Sequence, residues 1–269
     1  MGNDLNWHKE DLEKIKSLRF IDDDFMTISF DNFIEGAELV IKTILNRKDL
    51  RVTSVETQII MLSLNNRSIK LDILAVDEDN KLYNIEIQRS DKGADVKRAR
   101  FHSSIIDTKY LDKSEDFNKL PENYVIFITE NDVMDENEPI YFIDRVVINS
   151  KGQKLKLFND GEHIIYVNGS YQDETTDIGK LMHDFFCENP DDMNYEVLAD
   201  KARYYKEKEE GVNTMCKVFE DIRNEAKKEY AKETARGMLA DNKLSIEEIA
   251  KYSRLTVDEV LALKGTASA

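Results

Sequence analysis

The chain is poor in the residues that build disulfide-stapled or metal-clustered folds. Its 269 residues include two cysteines, three prolines, one tryptophan and four histidines. Two thiols, Cys187 and Cys216, are too few for a disulfide framework or a thiolate zinc site, and they read as buried free thiols. His8, His102, His163 and His183 show no i, i+4 pairing, so no histidine metal cluster is expected. No window approaches the roughly 18 apolar residues that cross a bilayer. The start, MGNDLNWHKEDLEKIKSLRF, is charged throughout and lacks the apolar core of a secretory signal. A myristoylation site is also missing, because Asn6 stands where Ser or Thr is required. These absences lead us to expect a soluble, cytoplasmic protein with no membrane partner.

What is present is a core-forming, acidic chain. Hydrophobic residues make up 41% and charged residues 34%, which excludes collagen-like and wholly disordered chains. Acidic side chains number 54 against 38 basic ones, giving a formal charge of −16. A uniformly acidic surface would repel nucleic acid. The charge is uneven, however. Residues 112–144 hold ten acidic and two basic side chains, and residues 173–200 hold nine and one. The stretch from Glu86 to Tyr110 has six basic and four acidic residues. With a nucleic-acid partner, the two acidic segments are expected to lie away from the Asp72 and Glu86 face, and that reading weakens if they line its mouth.

Periodicity divides the chain. Residues 4–20 have helical spacing, with Leu5, Leu12, Ile15 and Leu18 on one side. IDDDFMTISFDNF reads as a turn-like acidic stretch leading into a second helix, with Asp31 as its cap and Phe33, Ala37, Val40, Ile41, Ile44 and Leu45 on its apolar face. From Val52 the period is that of strands, in VTSVETQIIMLSL, SIKLDILAV, KLYNIEIQ and YVIFITE. SIKLDILAV and KLYNIEIQ form a hairpin about DEDNK, a charged helix follows over 92–111, and YFIDRVVIN and HIIYVNG are further strands. The order helix, hairpin, helix, strand is that of an α/β fold. Residues 178–186 and 195–239 are helical, the latter dense in Lys and Glu and suited to packing against another copy. The tail has two short helices capped by Ser245 and Thr256. In outline it is a helix-turn-helix, but its second helix carries Asp258, Glu259 and only Lys264, which fits a small helical cap better than a DNA reader. We expect a core over 1–172, a helical extension over 173–239 and a two-helix tail over 240–269.

The hairpin carries the candidate chemistry. Strand alternation puts Lys70, Asp72 and Leu74 on one face, and Asn84, Glu86 and Gln88 on one face of the second strand. If these faces coincide, Asp72, Glu86 and Gln88 converge, and two carboxylates on adjacent strands suit a hard divalent cation that retains several waters. By themselves such residues describe a solvated hairpin face more often than a metal site, and E-x-Q alone is a weak motif. His102 and Tyr110 on the following helix read as packing residues.

The Asp72-to-Glu86 spacing, then E-x-Q, between an acidic and a basic helix, resembles the PD-(D/E)XK nuclease superfamily. More specifically, KLDILAVDEDNKLYNIEIQRSDKGADVKRARFHSSIID, with FITENDV, PIYFIDR, HIIYVNG and LMHDF, resembles the branch of Rpn-type recombination-promoting nucleases and transposases, over roughly residues 30–230. The resemblance implies a restriction-endonuclease-like core, a mixed central sheet flanked by helices. It implies a Mg²⁺-dependent DNA endonuclease (Mn²⁺ or Ca²⁺ being alternatives) that acts in DNA breakage, recombination or defence. Asp72 and Glu86 take the positions of the metal ligands, Glu38 that of a further helical acid, and Gln88 stands where most members have lysine. Glutamine orients by hydrogen bonds but adds no charge beside the phosphorane. Another cation (Lys70, Arg89, Lys97 or Arg98) has to compensate, or activity is weak. Arg89, Lys97, Arg98 and Arg100 are the candidate DNA contacts, and the C-terminal helices the candidate homodimer contact. The alternative is a catalytically inactive relative that binds DNA or protein.

Overall fold

A computed structural model describes residues 9–62, 68–89 and 94–266. Residues 4–8 of the expected first helix and 92–93 of the charged helix lie outside the described residues. The chain divides into two compact units, one of residues 16–206 and one joining residues 9–15 to 207–266.

The first unit is a mixed α/β structure around a six-stranded sheet. Its strands are β1 (Val52–Leu62), β2 (Ser68–Asp77), β3 (Leu82–Gln88), β4 (Asn123–Thr129), β5 (Ile140–Ile143) and β8 (Glu162–Asn168), in the order β1-β2-β3-β4-β8-β5. β1, β2 and β3 are antiparallel neighbours; β3, β4 and β8 run parallel; β5 returns antiparallel along the edge. β4, NYVIFIT, is buried along its whole length, as a central strand covered on both faces should be. The crossover between β3 and β4 is helix α4 (Val96–Tyr110), and Ala99, Ile105 and Ile106 pack on Leu74, Val125, Phe127 and Tyr166.

Helices α2 (Asp23–Phe30), α3 (Ile34–Leu45), α5 (Asp177–Phe186) and α6 (Glu196–Glu207) complete this unit. An aromatic cluster ties them together: Phe20, Phe25, Phe30 and Phe185 have ring centroids 5.2–6.3 Å apart, with Phe33 and Tyr205 at its margins. The acidic stretch read as a turn is in fact the start of α2, because Phe25, Met26, Ser29 and Phe30 give it a buried helical stripe. Asp31 is therefore the C-cap of α2, and α3 begins at Phe33 with no side-chain cap. The stretch YFIDRVVIN breaks at Asp144 and Arg145. Beyond it, β6 (Val146–Ile148) and β7 (Lys154–Leu157) form a separate two-stranded arm.

In the second unit, α1 (Lys9–Lys16) meets α7 (Glu209–Asp241) through paired bonds from Arg223 to Asp11 at 2.6 and 3.1 Å. The helix expected over 195–239 is thus two, divided at Lys208. α8 (Ile246–Ser253) and α9 (Val257–Thr266) fold onto the end of α7 around Ala235, Ile249, Ala250 and Val260. Ser245 with Glu248, and Thr256 with Glu259, cap them as expected. No helix among the described residues is long and apolar enough to cross a membrane.

The end of the parallel strands is locked at Gly169, whose N–H donates to Thr129 O at 2.8 Å. A Cβ there would lie 2.4 Å from that oxygen and 2.8 Å from the Phe186 ring. Gly169→Ala is expected to destabilise the protein by about 2 kcal/mol or more through overpacking, measured by denaturant unfolding.

Candidate functional site

The register of β2 on β3 pairs Ile73 with Ile85 and Leu74 with Asn84, so Asp72 stands opposite Glu86 where the ladder ends. There each carboxylate takes the other strand's amide. Ile87 N–H donates to Asp72 Oδ2 at 3.0 Å, and Asp72 N–H approaches Glu86 Oε1 at 3.4 Å. The reciprocal clasp holds two acids face to face at the C-terminal end of β3.

The polar face of the hairpin is not a solvated one. α4 covers it, and Asn84 and Glu86 are fully buried. Burial needs partners, and α4 supplies them from residues four apart. Arg98 Nη2 donates to Glu86 Oε2 at 3.2 Å, and Arg98 Nε donates to His102 Nε2 at 3.2 Å. Since Nε2 accepts, the ring proton sits on Nδ1 and faces Glu86 Oε1 at 3.4 Å. Asn84 Nδ2 lies 3.4 Å from the same nitrogen, and exchanging the two amide ends would let Oδ1 accept from it. His102 is thus part of the polar network and not a simple packing residue.

Two further groups complete the surroundings. Gln58 on β1 lies between the pairs Thr57–Ile73 and Ile59–Leu71, opposite Asp72, with a φ of 57° that few non-glycine residues adopt. Its Nε2 donates to Thr27 Oγ1 at 2.6 Å and fastens α2 to the sheet. α2 then brings Asp23 near enough to act on Asp72. Burial, the Glu86 carboxylate and Asp23 together push Asp72 up to about 7, against the Ile87 N–H and Arg98. Asp23 is also held above the usual carboxylate range, by burial and by Asp24, with Arg89 and Lys70 pulling it down.

Of the residues singled out in the sequence, Asp72, Glu86 and Arg98 come together. Gln88 follows on the same strand, but its Nε2 donates to Ile87 O at 2.9 Å. Glu38 is elsewhere. It accepts from Val52 N–H at 3.0 Å and pairs with Arg51 and Lys42, which hold it below the usual range despite burial. Val52 pairs with Asp77, five residues along β2 from Asp72, a separation of about 16 Å. The helical acid beside Asp72 is Asp23, which the run of three aspartates in the sequence does not single out. Arg89 pairs with Asp22 at 3.0 Å and lies 3.9 Å from Glu130. Lys97 and Arg100 are exposed, and helix geometry turns them away from the face that carries Arg98 and His102. Glu130 comes from the first acidic segment, so that segment does reach the site.

Compared with protein-family models, curated proteins and solved structures, the chain matches none of them.

Among the described residues no three His, Cys, Asp or Glu side chains form a ready metal cluster. The pair Asp72 and Glu86 nevertheless fits a hard cation in donor type and charge. Both are oxygen ligands, and Asp72 is raised by burial first and by the Glu86 carboxylate second, only partly offset by Ile87 N–H and Arg98. Such an ion would take two protein ligands and complete its shell with water.

The raised Asp72 makes a stability prediction. Its folded value lies above the unfolded one near 3.9, so the folded protein holds the extra proton between about pH 4 and 7. Stability is fully present below that window and falls as pH rises through it. The ionised pair lowers stability at pH 8 relative to pH 4. Asp72→Asn is therefore expected to melt a few degrees higher than the metal-free wild type at pH 8 and equally at pH 4, by calorimetry at the two pH values.

Proposed function

We propose that the chain is a divalent-metal-dependent DNA endonuclease of the PD-(D/E)XK type, with Asp72 and Glu86 as the metal ligands. The observation that carries the reading is the opposed pair of carboxylates at the parting of β2 and β3. The surrounding order supports it: α3, the antiparallel β1-β2-β3, α4, then β4 parallel to β3. An ion bound there would supply an activated water and offset charge on the phosphate.

The chain's own residues have defined tasks in this reading. Ile87 N–H fixes Asp72, and Arg98 with His102 fixes Glu86. Gln88, its amide turned to Ile87 O, holds the strand end and contributes no charge. Arg98 is the cation at the carboxylates and takes up the charge that Gln88 lacks. Lys97 and Arg100 are left for more distant phosphates.

The acids around the site determine how DNA binds. Asp22, Asp23, Asp24 and Glu130 cluster near Asp72 or Arg89, so phosphate meets net negative charge until a cation enters. Retention of a DNA duplex on a filter is therefore expected to rise at least tenfold when Ca²⁺ replaces EDTA, and Asp72→Ala should abolish the rise.

Cleavage is tested by nicking of supercoiled plasmid. Wild type with Mg²⁺ should convert plasmid to open circles, while EDTA, Asp72→Ala or Glu86→Gln should reduce the rate at least a hundredfold. Equal cutting by wild type and Asp72→Ala would remove the assignment. The second reading, an inactive relative that binds DNA, rests on the missing lysine at Gln88. Metal-dependent binding without any cutting would favour it.

A further inference from the structure

The far edge of the sheet carries a feature independent of the metal reading. β5 is the edge strand, and among the described residues it pairs with β8 alone. It reads Ile-Tyr-Phe-Ile, with none of the charged or proline residues that usually guard an open edge within the strand itself. Beyond its end, β6 and β7 continue β5 and β8 as a two-stranded arm in which every residue from 150 to 160 is exposed. A lone two-stranded ribbon is marginally stable in water. This one also bears apolar side chains: Val146, Ile148, Leu155 (61% exposed), Leu157 and Phe158.

Charge divides sharply along this edge. Residues 145–159 contain Arg145, Lys151, Lys154 and Lys156 and no acid, in a chain of net −16. Residues 130–138, which lead into β5, contain Glu130, Asp132, Asp135, Glu136 and Glu138 and no base. Asp132 organises that loop by accepting from Tyr141, Met134 and Asn137. Asp135, Glu136 and Glu138 are left exposed at its surface. Arg145 is engaged with Asp160 and Glu162 at the base of the arm. Among the described residues Lys151, Lys154 and Lys156 have no acidic partner, and Asp135, Glu136 and Glu138 no basic one.

We propose that this edge is the interface between two copies of the chain, with β5 pairing antiparallel to β5 of the second copy and each basic arm lying along the other copy's acidic loop. A two-fold axis through β5 satisfies the charge pattern, because it reverses the edge and sets the basic end against the acidic end. In that register Ile140 faces Ile143 of the second copy, and Val146–Ile148 runs beside its residues 135–137. The apolar side has a receiving surface too. A groove of about 480 Å³ opens beside β5, lined by Leu39, Ile140, Phe142, Ile178 and Tyr195. The bare apolar side chains of edge and arm amount to on the order of 500 Å² per copy, the size of the largest apolar patch on a typical monomer, a patch that is often functional. Two copies together reach the roughly 1,000 Å² at which specific interfaces begin.

Sedimentation equilibrium of the full chain between about 1 and 50 μM tests the proposal, with circular dichroism and melting as controls for folding. Wild type should sediment at twice the 31.2 kDa of one chain. Leu155→Glu with Leu157→Glu, at exposed positions, should sediment as one chain with an unchanged spectrum. Lys154→Glu with Lys156→Glu, and separately Asp135→Lys with Glu136→Lys, should each weaken association at least tenfold, and an equimolar mixture of the two should recover it. A wild type that sediments as one chain at 50 μM overturns the proposal, even if the arm proves to retain DNA instead. So does a two-chain species that the arm substitutions leave intact, since the contact is then elsewhere, as in the long helix α7.

Discussion

Where β2 and β3 part, two carboxylates occupy space that backbone hydrogen bonding would otherwise fill. Asp72 and Glu86 each accept from the opposite strand. The neighbourhood follows from that crowding. Glu86 is buried and requires donors, so α4 presents Arg98 and His102 on one face, four residues apart. Asp72 is largely buried, and that burial, with the Glu86 charge beside it, raises its proton affinity. Gln58, in a left-handed conformation opposite Asp72, fastens α2 with Asp23 over the pair. These acids remain together because the sheet and helices α2 and α4 hold them, at a cost to stability that a bound cation would offset.

Much of this was legible in the sequence where the period was strong. Alternation in SIKLDILAV and KLYNIEIQ placed Asp72 and Glu86 on facing positions, and the register bears that out. The same alternation could not say what covers the polar face, because covering is a tertiary fact: α4 buries a face that reads as solvated. Glu38 went elsewhere for a similar reason. Its helix was legible, but the carboxylate turns to Val52 N–H and to Arg51 and Lys42, partners a helical wheel does not contain. Asp23 was hidden because three successive aspartates carry no period, and the helix they begin is defined by Phe25, Met26, Ser29 and Phe30 packing. The Arg98–His102 spacing was visible, but its meaning depends on Glu86 lying beneath it. YFIDRVVIN reads as one strand, but it breaks at Asp144 and Arg145, where Arg145 pairs with Asp160 and Glu162 and Asp144 with His163.

The charge of the molecule takes on a more specific role. The first acidic segment does not avoid the site, for Glu130 reaches Arg89, and outside both segments Asp22–Asp24 also lie close by. A surface of that kind does not attract DNA through a broad basic patch. In the proposed reading it favours a phosphate only when a small cation bridges protein and nucleic acid, which would couple binding to metal loading. On the opposite flank the basic arm and the acidic loop face along one edge, where their charges are complementary for a second copy of the chain.

The central claim is that Asp72 and Glu86 jointly hold a divalent cation. Anomalous diffraction from crystals soaked in Mn²⁺ tests it most directly, because manganese scatters anomalously and accepts oxygen ligands. The account predicts a single strong peak within about 2.5 Å of an oxygen from each of the two carboxylates, lost in Asp72→Asn. A soaked crystal whose manganese peaks lie only elsewhere, with Asp72 and Glu86 unchanged, would contradict it.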